Sequence, residues 1–214
     1  MRMRIRRGVG DQGFTLIEMV LAVALFTVAL AAIYSVLSSV RRSSTLNKVD
    51  AEVMQRLRMS MDFMEQDIRL AGLDRFETAK AGIALEVGVS PTQTCLRFTA
   101  DRDMDGTIDT ADLSDGIQES DLETITYWYD SDSKELKQCL SGSTTVNCET
   151  VVDGVSGFAF NYFDSEDHPI AFPITDPAQI TSVEVTMTVS KPASVFGTVS
   201  RSLRRRILCR NLTI

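Results

Sequence analysis

Hydrophobic and polar positions divide the chain into three regimes. From Phe14 to Val40, 27 residues run with Glu18 as their only charge. As a helix rising about 1.5 Å per residue this run reaches roughly 40 Å, more than the roughly 30 Å hydrocarbon core of a bilayer. Beyond Arg41 the pattern becomes amphipathic, with Leu46, Val49, Val53, Leu57, Met61, Met64 and Ile68 spaced three or four apart. That spacing keeps them on one stripe of a 3.6-residue period, while Lys48, Asp50, Glu52, Arg56, Arg58, Asp62, Glu65 and Asp67 fill the other faces. No Gly or Pro interrupts residues 14–71, and Gly72 is placed to stop the helix. One helix over about 14–71 is therefore predicted. After Gly72 the period shortens: "GIALEVGV", "TCLRFTA", "ETITYWYD", "KELKQCL", "GFAFNYFD" and "SVEVTMTVS" are β-branched or aromatic, separated by Gly, Pro, Asp and Ser. These read as strands joined by turns. The fold class is α+β, the striped half of the helix packing on an antiparallel β-sheet.

Charge refines this picture. The 214-residue chain carries −7, but residues 1–13, with four arginines against one aspartate, contribute +3, so the remainder stands at −10. That balance excludes nucleic acid as the main partner, because phosphate backbones are held by clustered Lys and Arg. The basic run "RSLRRR" at 201–206 is read as a solvated or partner-facing edge. Residues 1–13 read as a short basic leader retained on the cytoplasmic side by the positive-inside rule.

Glu18 is the odd residue. A carboxylate inside a bilayer costs on the order of 2.5–3.5 kcal/mol on insertion scales, so something other than lipid should offset it. The stretch "GFTLIEMVLAVALF" closely resembles the N-terminus of type IV prepilins: a basic leader ending in Gly, then Phe-Thr-Leu-Ile-Glu and an apolar helix. A Sec signal would instead end its shorter apolar core at an Ala-x-Ala-like site. The resemblance implies cleavage between Gly13 and Phe14 by the membrane-embedded prepilin peptidase and methylation of the new Phe14 amine. It also implies a role for Glu18 as an assembly contact, paired with the N-terminus of a neighbouring subunit in the filament core, where a buried pair is tolerable and an unpaired carboxylate is not. "DIRLAGLDRF", "GFAFNYFDSEDHP" and "ITSVEVTMTVS" resemble the PilW-type minor pilins. The Pro that many major pilins carry midway along the apolar helix is missing.

A second motif is "DRDMDGTIDTAD", residues 101–112. Asp101, Asp103, Asp105, Thr107 (through its carbonyl), Asp109 and Asp112 occupy positions 1, 3, 5, 7, 9 and 12 of a calcium loop, with Gly106 at the sharp turn. Position 12 is Asp where Glu is usual, and the flank "CLRFTA" is strand-like, so an isolated Ca2+ loop in a β context is expected. Four cysteines without CxxC spacing, beside a single histidine (His168), favour disulfides over zinc. The short loop "CLSGSTTVNC" favours Cys139–Cys148, which leaves Cys95 with Cys209. His168 reads as a loop residue, and with no second histidine and no GxSxG context an enzyme is not expected.

The domains expected are a cleaved leader (1–13), a transmembrane or filament-core helix (14–40), its amphipathic continuation (41–72) and a periplasmic or extracellular β-rich head (73–214). The expected function is that of a minor type IV pilin, a structural subunit helping to start pilus assembly and to present an adhesive tip surface. Its expected partners are other pilin subunits, through the N-terminal helix, and the prepilin peptidase. It would reside in the inner membrane before assembly and at the cell surface after it. A type II secretion pseudopilin would use Gly13, Phe14 and Glu18 identically. A membrane-tethered binding module would use Glu18 for nothing.

Overall fold

The computed structural model describes residues 13–77, 81–83, 91–108, 123–140, 148–193 and 197–212. Helix α1 spans Leu16–Leu70. The strands follow in the order β1 (Cys95–Thr99), β2 (Thr124–Asp130), β3 (Glu135–Cys139), β4 (Cys148–Val152), β5 (Val155–Phe163), β6 (Ser182–Pro192) and β7 (Thr198–Leu208). Two compact units divide the chain, Met1–Thr45 and Leu46–Ile214.

In the first unit, α1 is exposed from Leu16 to Ser44. Phe14 is 87% exposed, and Leu16, Ile17, Leu25, Phe26 and Tyr34 are likewise open. An 18-residue window of the helix reaches a mean hydropathy of 2.6 with none of it buried, which makes it long and apolar enough to cross a membrane. Two hydroxyls within it bond back to the helix. Thr27 Oγ1 donates to the Ala24 carbonyl at 2.7 Å, and Ser38 Oγ donates to the Ser35 carbonyl at 2.8 Å. Such back-bonding suits a segment surrounded by hydrocarbon, where water supplies no partners.

The second unit begins where α1 becomes striped. Val53, Leu57, Met61, Met64 and Ile68 are completely buried, and Leu46 and Val49 are half-buried. They share one core with residues from two antiparallel sheets: Leu96, Phe98, Ile125 and Tyr127 of the first, and Phe160, Tyr162, Val183, Val185 and Met187 of the second. The first sheet is a meander ordered β1-β2-β3-β4, and the second is ordered β5-β6-β7. In the second, Tyr162↔Val183↔Ile207 and Phe160↔Val185↔Arg205 stand opposite one another. Period-two alternation then puts Phe158, Phe160 and Tyr162 on the core face, with successive ring centroids 4.8 and 6.3 Å apart.

The single sheet expected from the sequence is thus two, and two strands were not anticipated. β4 is short and polar. β7 contains "RSLRRR", and its outer position leaves room for arginines that a central strand would have to bury. Those arginines are largely engaged within the molecule. Arg205 reaches Asp62 and Glu65 of α1, and Arg204 pairs with Glu184 at 2.8 Å. Arg206 pairs with Asp167, and its guanidinium lies 3.7 Å from the Phe163 ring centroid. Arg201 Nε lies 2.6 Å from Asp50 Oδ1, a charge contact rather than an aligned hydrogen bond. The run expected to be a solvated or partner-facing edge is an edge strand that meets the acidic flank of the helix. Exposed pairs of this kind each contribute little.

At the helix end, Gly72 adopts φ +78° and donates its N–H to the Thr99 carbonyl at 3.0 Å. A Cβ at this position would stand 2.4 Å from Leu212 Cδ2, which would have to move, and the positive φ itself favours glycine.

Candidate functional site

Two places carry chemistry, the start of α1 and the loop after β1. The leader residues 1–12 lie outside the described residues. Gly13 and Phe14 precede the helix, and no described residue lies within 4 Å of where a Gly13 Cβ would stand. Both residues are exposed. Thr15 caps the helix: its carbonyl accepts the Met19 N–H at 3.2 Å and its hydroxyl accepts the Glu18 N–H at 3.3 Å. The same hydroxyl donates to Glu18 Oε2 at 3.5 Å, a long contact. Thr15-x-x-Glu18 therefore forms one half of a capping box, a signal that was legible in the sequence and passed over. Glu18 also sits in the first turn, where the helix dipole favours a negative charge. Its carboxylate is exposed.

The second place is the loop after β1. Asp101 N–H donates to the Leu73 carbonyl at 2.8 Å, which ties the loop to the end of α1. The Asp101 side chain is 0% exposed, and Oδ2 accepts the Gly106 N–H at 3.1 Å. Gly106 permits this return by adopting φ +88°. Asp103 Oδ1 accepts the Asp105 N–H at 3.0 Å, and Asp105 Oδ1 accepts the Thr107 N–H at 2.8 Å and its hydroxyl at 2.7 Å. The Thr107 hydroxyl, and then its amide, hold the Asp105 carboxyl below the usual carboxylate range. One carboxylate oxygen from each of Asp101, Asp103 and Asp105 lies within 4.8 Å of the other two, so three of the six expected ligands are brought together. Asp109 and Asp112 lie outside the described residues. Sequence reasoning missed Glu123, which is 2% exposed and accepts the Arg102 N–H and, at 3.3 Å, the Asp103 N–H. It stands far along the chain, and only the pairing of β1 with β2 brings it to the loop.

The cysteines divide. Cys139 and Cys148 are disulfide-bonded across the β3–β4 pair. The Cys95–Cys209 pairing reached by elimination is not formed; both are thiols. Cys95 opens β1 in one sheet and Cys209 follows β7 in the other. Burial pushes the Cys209 thiol up to about 12 and also raises Cys95. An even count says nothing about which thiols the topology brings face to face. His168 is an exposed loop residue, 3.7 Å from Asp164 and 3.6 Å from Glu166.

One buried polar cluster was not anticipated from the sequence. Asp67, placed among the charged residues of the helix's other faces, is only 9% exposed. Its Oδ2 accepts the Tyr127 hydroxyl and Gln138 Nε2, each at 2.6 Å, and Gln138 Nε2 also lies 3.3 Å from the Tyr127 oxygen. Burial raises the Asp67 carboxyl, opposed by the Tyr127 bond, the Arg102 charge and the Gln138 bond. The cluster joins the helix to β2 and β3, and it is structural.

Comparison with known families agrees with this arrangement. Residues 48–208 match the family described as prepilin peptidase-dependent protein B. Residues 10–34 match the prokaryotic N-terminal methylation motif, which includes Gly13, Phe14 and Glu18. No curated protein sequence matches the chain. With the first match covering most of the chain and the second covering Gly13, Phe14 and the start of the exposed apolar helix, the protein belongs to the prepilin peptidase-dependent protein B family and is a single-pass, membrane-anchored protein of the type IV pilin or pseudopilin kind.

Proposed function

We propose that the protein is a minor type IV pilin, a structural subunit that enters the filament through residues 14–40 and helps to start its assembly. The observation that carries this reading is the apolar half of α1, exposed throughout, whose only charge is Glu18 in the first turn. A helix of this kind needs lipid first and protein neighbours later. In lipid alone Glu18 is a cost, whereas against the amine of a neighbour's Phe14 it becomes one half of a pair. That pairing favours one axial position over others, which a filament requires. Cleavage after Gly13 exposes the amine, so processing by the prepilin peptidase and assembly are linked through one residue. The role is structural rather than catalytic, with the head (residues 73–214) presented outside the inner membrane.

The test is a deletion strain complemented with the intact gene, scored for sheared surface pili and for secreted enzymes. A minor pilin gives loss or sharp reduction of pili, restored by complementation, and a processed chain that co-purifies with sheared filaments. Normal piliation together with failed secretion would overturn this reading in favour of a type II secretion pseudopilin. Normal piliation and normal secretion would leave only a membrane-tethered module.

A further inference from the structure

The loop after β1 holds a buried carboxylate whose partner the described residues do not supply. Asp101 is 0% exposed, yet its Oδ1 accepts no hydrogen bond while Oδ2 takes the Gly106 N–H. A buried carboxylate oxygen without a donor is costly, and such groups are normally satisfied by protein, water or a metal ion. Two further carboxylates stand beside it, with one oxygen from each of Asp101, Asp103 and Asp105 within 4.8 Å of the others. Among the described residues no Lys, Arg or His forms an ion pair with any of the three. Three carboxylates at that spacing repel, and the repulsion reverses sign only when a cation joins them.

We propose that residues 101–107 bind one Ca2+ ion, with the orphaned oxygen of Asp101 as the buried anchor. The Asp103 and Asp105 carboxylates and the Thr107 carbonyl would complete the described part of the shell. The donor chemistry selects the ion. The acidic cluster offers oxygen alone, which suits a hard cation and excludes the N and S preferences of zinc or copper. An irregular set that mixes one buried and two exposed carboxylates suits the variable coordination of Ca2+ better than the strict octahedron of Mg2+. The position of the loop gives the ion a consequence. Asp101 N–H is bonded to the Leu73 carbonyl just beyond α1, and Gly72 N–H is bonded to the Thr99 carbonyl at the end of β1. Drawing the three carboxylates together therefore tightens the junction between the helix end and the first sheet. The ion acts as a clasp for the head, independently of whether the filament is a pilus or a pseudopilus.

The test uses the full-length protein in detergent micelles, stripped with EGTA and titrated calorimetrically with CaCl2 up to about 10 mM, well above the 10⁻⁴–10⁻³ M range of extracellular modules. Melting is followed by circular dichroism in EGTA, in CaCl2 and in MgCl2. The wild type should bind one Ca2+ and melt several degrees higher with Ca2+ than with EGTA, with a smaller rise in Mg2+. The double variant Asp103→Asn, Asp105→Asn changes only exposed side chains and keeps their oxygen acceptors. It should melt like the wild type in EGTA, bind at least ten-fold more weakly and gain no melting temperature from Ca2+. Absence of binding by the wild type with equal melting in EGTA and CaCl2, or wild-type binding by the double variant, would overturn the proposal.

Discussion

Replacing Asp67 with alanine removes the one acceptor shared by two buried donors, the Tyr127 hydroxyl and Gln138 Nε2. Leaving a buried donor unmet costs about 1–3 kcal/mol. The surviving 3.3 Å contact between Gln138 and Tyr127 compensates part of one loss. A net cost of about 2–4 kcal/mol follows, which for a unit of this size lowers Tm by roughly 5–12 °C. Asparagine at this position separates the hydrogen bonds from the charge, because it keeps an acceptor and cannot ionise. In the native protein burial raises the Asp67 carboxyl above its unfolded value of about 3.9. The folded state therefore holds a proton that the unfolded state has released. The stability this protonation supplies is complete below the unfolded value and is lost as pH rises through the folded one. Groups whose carboxyls are depressed, such as Asp130 at about 2, act in the opposite sense and are present in both proteins. Taking the difference between wild type and Asp67→Asn cancels them. Urea unfolding in micelles from about pH 3 to pH 8 should show the wild type losing ground to Asp67→Asn as pH rises, then holding a constant offset. An Asp67→Ala variant within about 0.5 kcal/mol of wild type, or a pH-independent offset for Asp67→Asn, would refute the reasoning.

Three further outcomes are expected. Converting Cys139 and Cys148 to serine opens a disulfide of sequence separation 9 and should cost about 2.5–3 kcal/mol, read from chemical denaturation, while the wild type under reductant should match the double variant. Leu57→Ala, at a completely buried position, should cost about 2–5 kcal/mol of head stability, whereas Leu25→Ala, in the exposed apolar run, should leave head unfolding unchanged. Gly72→Ala combines a positive φ with a 2.4 Å approach to Leu212 and should destabilise by about 1–2 kcal/mol, measured by thermal melting.

What the sequence disclosed and what it withheld follows from the range of the interactions. The helix was legible almost to the residue, about 14–71 against Leu16–Leu70, because its signals are local: unbroken periodicity and a terminal glycine. The strands at 95–99, 124–130, 135–139, 155–163 and 182–192 were legible for the same reason, through β-branched and aromatic runs between turns. β7 was not, because arginines in a strand make sense only once Asp62 and Glu65 of α1 stand opposite them. The burial of Asp67 was not legible for the same reason: its partners lie 60 and 71 residues away. The close pair Cys139–Cys148 was readable from its short loop, while the fate of Cys95 and Cys209 depended on which sheet each joined. In the acidic loop the spacing of Asp101, Asp103 and Asp105 was visible. The complete burial of Asp101 and the arrival of Glu123 were not.

The central claim, that this chain is processed at Gly13–Phe14 and assembles through Glu18, is tested most directly by comparing wild type with Glu18→Ala in cells. The mass of the mature N-terminus and recovery in sheared filaments are read from the same samples. The account requires both proteins to begin at an N-methylated Phe14, with only the wild type entering filaments efficiently. A wild-type chain that keeps residues 1–13, or a Glu18→Ala chain that enters filaments as well as wild type, would contradict it.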